Sequence, residues 1–173
     1  MKNTWLAAVT LVATAALVVA EPKNPNLSPL EDKVRHELIV LPYFSVFDSI
    51  SFRVDGSTVT LFGAVTKPVL KSDAGNVVKR VEGVERVENQ IEVLPLSSFD
   101  DAIRMQTARA IYGYPALQRY GLGTQKAIHI IVKNGNVTLV GSVSNDGDKQ
   151  LAFMRANGVP GVFAVDNQLQ IQK

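Results

Sequence analysis

The side chains best suited to chemistry in this sequence are cations and rings rather than nucleophiles. There is no cysteine, and the two histidines, His36 and His129, lie far apart. That rules out zinc–thiolate sites, redox motifs and thiol nucleophiles. No Gly-x-Ser-x-Gly, Walker A or His-Glu-x-x-His pattern occurs. His36 falls on a helical stretch and His129 on the strand face turned away from the core, so both read as surface residues. Glu88 and Glu92 alternate along a strand, which suits a solvated sheet face better than an acid–base pair. Gly121–Lys126 has the composition of a phosphate loop. However, a helix precedes it and a strand follows, the reverse of the dinucleotide-binding order. The sequence therefore predicts no catalytic residue, no metal site and no cofactor.

Cations and tyrosines gather in one segment: Arg104, Arg109 and Arg119 interleave with Tyr112, Tyr114, Leu117 and Tyr120. Arg and Tyr on an amphipathic stretch suit a membrane interface, with rings at headgroup depth and cations on lipid phosphate. Long Arg stems can lie along apolar surface while their heads reach out. The expected lipid-binding set is Arg104, Arg109, Tyr112, Tyr114 and Arg119. The competing reading packs the tyrosines between helix and sheet with their hydroxyls hydrogen-bonded. Residues 97–173 hold 8 Lys+Arg against 5 Asp+Glu, whereas residues 21–96 hold 9 against 11, so the basic half is the second. A formal charge of +2 over 173 residues is too small for a nucleic-acid coat. Each cation near an anionic membrane contributes only ~1 kcal/mol, so the expected association is weak and salt-sensitive. A second candidate interface is apolar. Phe62, Ile131 and Val140 fall on the outer sheet face, a strip that marks a contact with the first half of the chain or with a client.

These residues are positioned by a duplication. Displaced by 78 positions, Ile50–Pro95 aligns with Ile128–Lys173 without a gap, with 15 identities in 46 pairs. Val59-Thr60-Leu61-Phe62-Gly63-Ala64-Val65 meets Val137-Thr138-Leu139-Val140-Gly141-Ser142-Val143. Gly83-Val84-Glu85-Arg86-Val87-Glu88-Asn89-Gln90-Ile91 meets Gly161-Val162-Phe163-Ala164-Val165-Asp166-Asn167-Gln168-Leu169. Upstream the displacement falls to 73, so the second copy carries about five extra residues between Gly113 and Lys126. The period is too long for a solenoid repeat and fits two compact modules.

Each copy reads as helix, hairpin, helix, strand. Ser28-Pro29-Leu30-Glu31 is a capping box with Pro at the first helical position. Leu30, Val34, Leu38 and Leu41 follow at helical spacing until Pro42. Ile50, Phe52 and Val54 alternate before Asp55-Gly56-Ser57-Thr58, and Val59, Leu61 and Gly63 after it, as in a hairpin. A helix from Pro68 ends at Gly83, and Val87, Asn89, Ile91 and Val93 form the last strand. The second copy places Ile103, Thr107 and Ile111 on its first helix and a second helix over Asp146–Asn157. Its hairpin turns at Lys133-Asn134-Gly135-Asn136.

Residues 1–20 have the form of a Sec-type signal peptide: Lys2, an uncharged run from Trp5, small residues at Val18 and Ala20, then Glu21-Pro22. The alternative is an uncleaved anchor, for which the run of 16 residues is short against the ~20 of a spanning helix. The expected organisation is a signal peptide (1–20), a linker (21–28) and two modules (29–95 and 96–173). The connection Leu94–Phe99 is short enough that the modules dock.

The blocks V-x-L-x-G-x-V and, after a helix, G-V-x-x-V-x-N-x-[IL]-x-[VI], present twice, resemble the BON domain, the module of the osmotically induced periplasmic protein family. The resemblance implies an α+β fold: two tandem αββαβ modules, each with two helices packed on a small three-stranded mixed sheet. It also implies a non-enzymatic envelope protein that binds anionic phospholipid or membrane surfaces. The alternative role is a soluble periplasmic chaperone that holds unfolded envelope proteins. With no cysteine there is no lipoprotein anchor. The expected location is outside the cytoplasm, in the periplasm of a bacterium with two membranes, without a nucleic-acid partner.

Overall fold

The computed structural model describes residues 28–122 and 126–172. The expected signal peptide lies outside the described residues. The first module contains α1 (Pro29–Ile39), β1 (Ser49–Asp55), β2 (Thr58–Val65), α2 (Pro68–Lys79), β3 (Arg86–Asn89) and β4 (Glu92–Val93). The second repeats the order as α3 (Ser98–Tyr112), β5 (Ile128–Lys133), β6 (Asn136–Val143), α4 (Asp146–Asn157), β7 (Ala164–Asn167) and β8 (Gln170–Ile171). A 3₁₀ turn, Gln118–Gly121, follows α3. The fold is α+β, two tandem αββαβ modules.

Ser28 and Glu31 form the reciprocal capping box that starts α1. The hairpins turn in two residues each. Gly56 alone has positive φ (+59°) in the first, as a II′ turn requires, whereas Asn134 (+51°) and Gly135 (+75°) both do in the second, as in I′. β2 is the sheet centre, antiparallel to β1 and parallel to β3 and β4; β6 has the same role.

The third strand is not continuous as the alternation suggested, but breaks into two short pieces on the same neighbour. The cause is the motif asparagine. Asn89 Nδ2 donates to the Lys71 carbonyl of α2 at 2.7 Å, and its Oδ1 accepts from Ile91 N at 3.2 Å. The backbone leaves the ladder for this turn and drops Ile91 fully into the core. Asn167 repeats the device, bonding Lys149 O at 2.9 Å and lowering Leu169 into the second core. The motif glycines have an equally local cause. Gly63 (φ +118°) and Gly141 (φ +120°) lie where a Cβ would come 2.2 Å from Ser49 O and 2.1 Å from Ala127 O.

Each module has its own core, the first around Val34, Leu61, Leu70 and Ile91, the second around Ile103, Ile111, Ile130 and Leu139. The second core also takes Val46 and Phe47 from the α1–β1 connection of the first module. Ile130 N donates to Val46 O at 2.8 Å, and the Phe44 ring lies 5.5 Å from the His129 ring. Asp48, fully buried, fixes this connection by accepting from Ser45 N and Oγ and from Thr66 N and Oγ1. His129 is thus a residue of the seam between modules. Its outward face, which the sequence reads as solvated, meets the preceding module instead. Of the apolar strip, Ile131 is buried although it belongs to neither core, Val140 is half-buried and Phe62 is exposed.

Candidate functional site

The cations of the second module sort by what α3 rests against. Ser97 caps α3. Asp100, one turn in and almost fully buried, accepts Asn134 N at 2.9 Å and Gly135 N at 2.8 Å. Its carboxylate clamps the tip of the β5–β6 hairpin and lays α3 along β5.

Arg104 follows one turn later and is drawn inward. It is 4% exposed, donating from Nη2 to Val132 O at 2.7 Å and from Nη1 to Asp101. It therefore is not presented to a membrane, because its guanidinium satisfies a strand carbonyl. Tyr112 is turned the same way: its hydroxyl donates to Ile128 O, and burial pushes its ionisation well above the ordinary tyrosine value. Both residues hold α3 to β5. Arg119 forms an ion pair with Asp148 and stacks 5.0 Å over the Tyr120 ring. Tyr120 OH donates to Asp148 at 2.7 Å and accepts Ser144 N at 2.8 Å. Burial pushes the Asp148 carboxyl up, but hydrogen bonds from Tyr120, Arg119 and Asn145 outweigh it and hold the group below the usual value.

The remaining two members of the expected set, Arg109 and Tyr114, reach the opposite side of α3, where it crosses α4. There a groove of about 320 Å³ is lined by Gln106, Arg109, Met154, Arg155 and Val159, among others. Arg109 is exposed, and its guanidinium makes no hydrogen bond or ion pair among the described residues. Arg155, from the last turn of α4, donates from Nε to Ala110 O at 3.1 Å, with its guanidinium 5.0 Å from the Tyr114 ring. Met154 is 54% exposed beside it. No carboxylate lines the groove. Two guanidinium groups, an aromatic ring and an exposed thioether stem make a site suited to an anionic head with an apolar neighbour. Sequence reading missed Arg155 and Met154, because their role depends on where α4 crosses α3 rather than on spacing within one helix.

Among the described residues, no cluster of His, Cys, Asp and Glu could hold a metal ion, and no helix is long and apolar enough to cross a membrane.

The repeated mixed sheet with its broken third strand, its motif glycine and its helix-bonded asparagine defines a tandem αββαβ protein. The BON domain matches residues 26–95 and 115–173, and the chain belongs to that family. BON domains occur in periplasmic and envelope proteins and are generally non-catalytic. Among solved structures, the chain is similar to the C-terminal domain of CdsD, the structural protein of the Type III secretion system of Chlamydia trachomatis. The identity is 14% over 86% of this chain and 100% of that one, with a TM-score of 0.30. A second structure of CdsD matches at 13% identity over 83% of this chain and 93% of that one, also with a TM-score of 0.30. No curated protein matches the chain.

Proposed function

We propose that the protein is a non-catalytic envelope protein that associates peripherally with anionic phospholipid through the α3–α4 groove. Arg109 and Arg155 take the lipid phosphate, while Tyr114 and Met154 sit at the boundary between headgroup and acyl chain. The observation that carries this reading is a groove free of carboxylates, with an unpartnered guanidinium on one wall and a second on the other. Arg104, Tyr112 and Arg119 act upstream by fixing the second module rather than by touching lipid.

The test is flotation with vesicles of phosphatidylglycerol and phosphatidylcholine, against phosphatidylcholine alone. Binding should require the anionic lipid and fade as salt shortens the screening length. At ~1 kcal/mol per cation, losing both arginines should weaken binding by at least about tenfold. Arg109→Glu with Arg155→Glu should leave the protein at the bottom of the gradient. Flotation of that double variant at the wild-type level would overturn the assignment.

A further inference from the structure

We infer, resting on the membrane reading above, that Phe99 and Phe163 form an apolar wedge that enters the acyl region of the same bilayer whose phosphates the α3–α4 groove holds. Phe163 is 74% exposed and Phe99 49%, and their rings lie 6.1 Å apart. Large apolar side chains grouped on a surface mark an interaction site. Both rings are seated on bare backbone. Phe163 lies over Gly135 at the tip of the β5–β6 hairpin, where a Cβ would come 2.5 Å from the ring. Phe99, in the first turn of α3, lies over Gly161, where a Cβ would come 3.2 Å from it. The glycines hold the rings from below and leave their outer faces open.

The first module shows that the fold does not require a ring there. Phe163 N donates to Gly135 O at 2.9 Å, and Glu85 N donates to Ser57 O at 2.9 Å, so the two copies share this backbone. Only the side chains differ. The first copy carries a hydroxyl and a carboxylate, with Ser57 Oγ donating to Glu85 at 2.8 Å. The second carries a glycine and a phenylalanine. A hydrogen-bonded polar pair has its equivalent in an open aromatic seat.

What covers the rings follows from what they adjoin. Phe99, Ala102, Gln106 and Arg109 recur along α3 at spacings of three and four, and all four are exposed. This stripe runs from a ring to a guanidinium of the groove, about 15 Å at the helical rise per residue. It holds no carboxylate: Asp100 is buried against the hairpin, and Asp101 falls on the opposite side of the helix. Pro160 lines the groove, and Gly161, the next residue, lies under Phe99. The aromatic seat and the cationic groove are therefore one surface. An apolar end and a cationic end match the acyl carbons and phosphates of an anionic bilayer. Rings that enter between lipids need gaps among the headgroups, so binding should also favour unsaturated or strongly curved membranes.

The test puts a fluorescent reporter at the wedge. Trp5, the chain's one tryptophan, is changed to Phe so that Phe163→Trp reports alone. With vesicles of phosphatidylglycerol and unsaturated phosphatidylcholine, its emission should shift to the blue and be quenched by lipids brominated on the acyl chain. Phe99→Ser with Phe163→Ser should weaken flotation at least about tenfold while the salt dependence persists. If that double variant fails to fold, Phe163→Ser alone serves, with a loss of at least about threefold. Flotation that needs Arg109 and Arg155 while Trp at position 163 is neither shifted nor quenched overturns the wedge and leaves the groove standing. Wild-type flotation of the serine variants does the same. Failure of the wild-type chain to float overturns both. A blue shift without vesicles that grows with protein concentration assigns the rings to a second copy of the chain and overturns the wedge.

Discussion

β1 and β5 descend from one strand and keep the same neighbours, register and alternation, yet their outer edges have diverged. β5 is closed by an arginine, a tyrosine and a carbonyl from the preceding module; among the described residues, the outward backbone groups of β1 have no such partners. The difference teaches where the specialisation of a duplicated module resides. The shared blocks fix the sheet, and the helix that runs beside its edge decides whether that edge is available.

The largest effect expected is one the two modules share. Gly63→Ala and Gly141→Ala each place a Cβ against a backbone carbonyl at a φ only glycine tolerates. Each should cost about 2–4 kcal/mol by chemical denaturation. Clearly unequal costs would break the equivalence of the modules at their sheet centres.

The edge itself comes next. Arg104→Met deletes the donor to Val132 O and should destabilise by about 2–3 kcal/mol, since it leaves a buried carbonyl unpaired. Tyr112→Phe should cost about 1–2 kcal/mol for the loss of one hydrogen bond to Ile128 O. Wild-type exchange sharpens the contrast: the Ile130 amide should be protected and the Phe52 amide fast. Equal protection of the two would mean that β1 is also closed.

The smallest effect is the pH response of the seam. Burial holds the His129 imidazole below its ordinary value, opposed by the carbonyls of Asp48, Ser45 and Lys126 and by the Asp48 charge. The unfolded chain then takes up a proton before the folded one does. Stability from this residue is complete above pH ~6.5 and declines as pH falls toward the folded value. The thermal midpoint should drop between pH 7.5 and 5.5, and less so in His129→Gln. Identical drops in both proteins would remove His129 from the seam's response.

Much of this organisation was legible in the residues. The capping box at Ser28, the helix over Asp146–Asn157 and both hairpins depend on local spacing, and local spacing survives folding. The candidate site was legible only in part. Arg104 shares a helical stripe with Ala108 and Ile111, a signal that it faces inward, but a charge on a stripe reads equally as its flank. His129 gave no signal, because its environment is made by Phe44, far away in sequence. Arg155 and Arg109 meet only because α4 crosses α3, and no periodicity within either helix encodes that crossing.

Val46 and Phe47 have a consequence for the history of the chain. Once a residue pair of one copy enters the core of the next, the copies can no longer be exchanged, reordered or released by a cut between them. A second module expressed alone would carry a notch in its core where those side chains belong. The chain began as a repeat but is inherited as a unit, and any longer array would need the same pair at every junction.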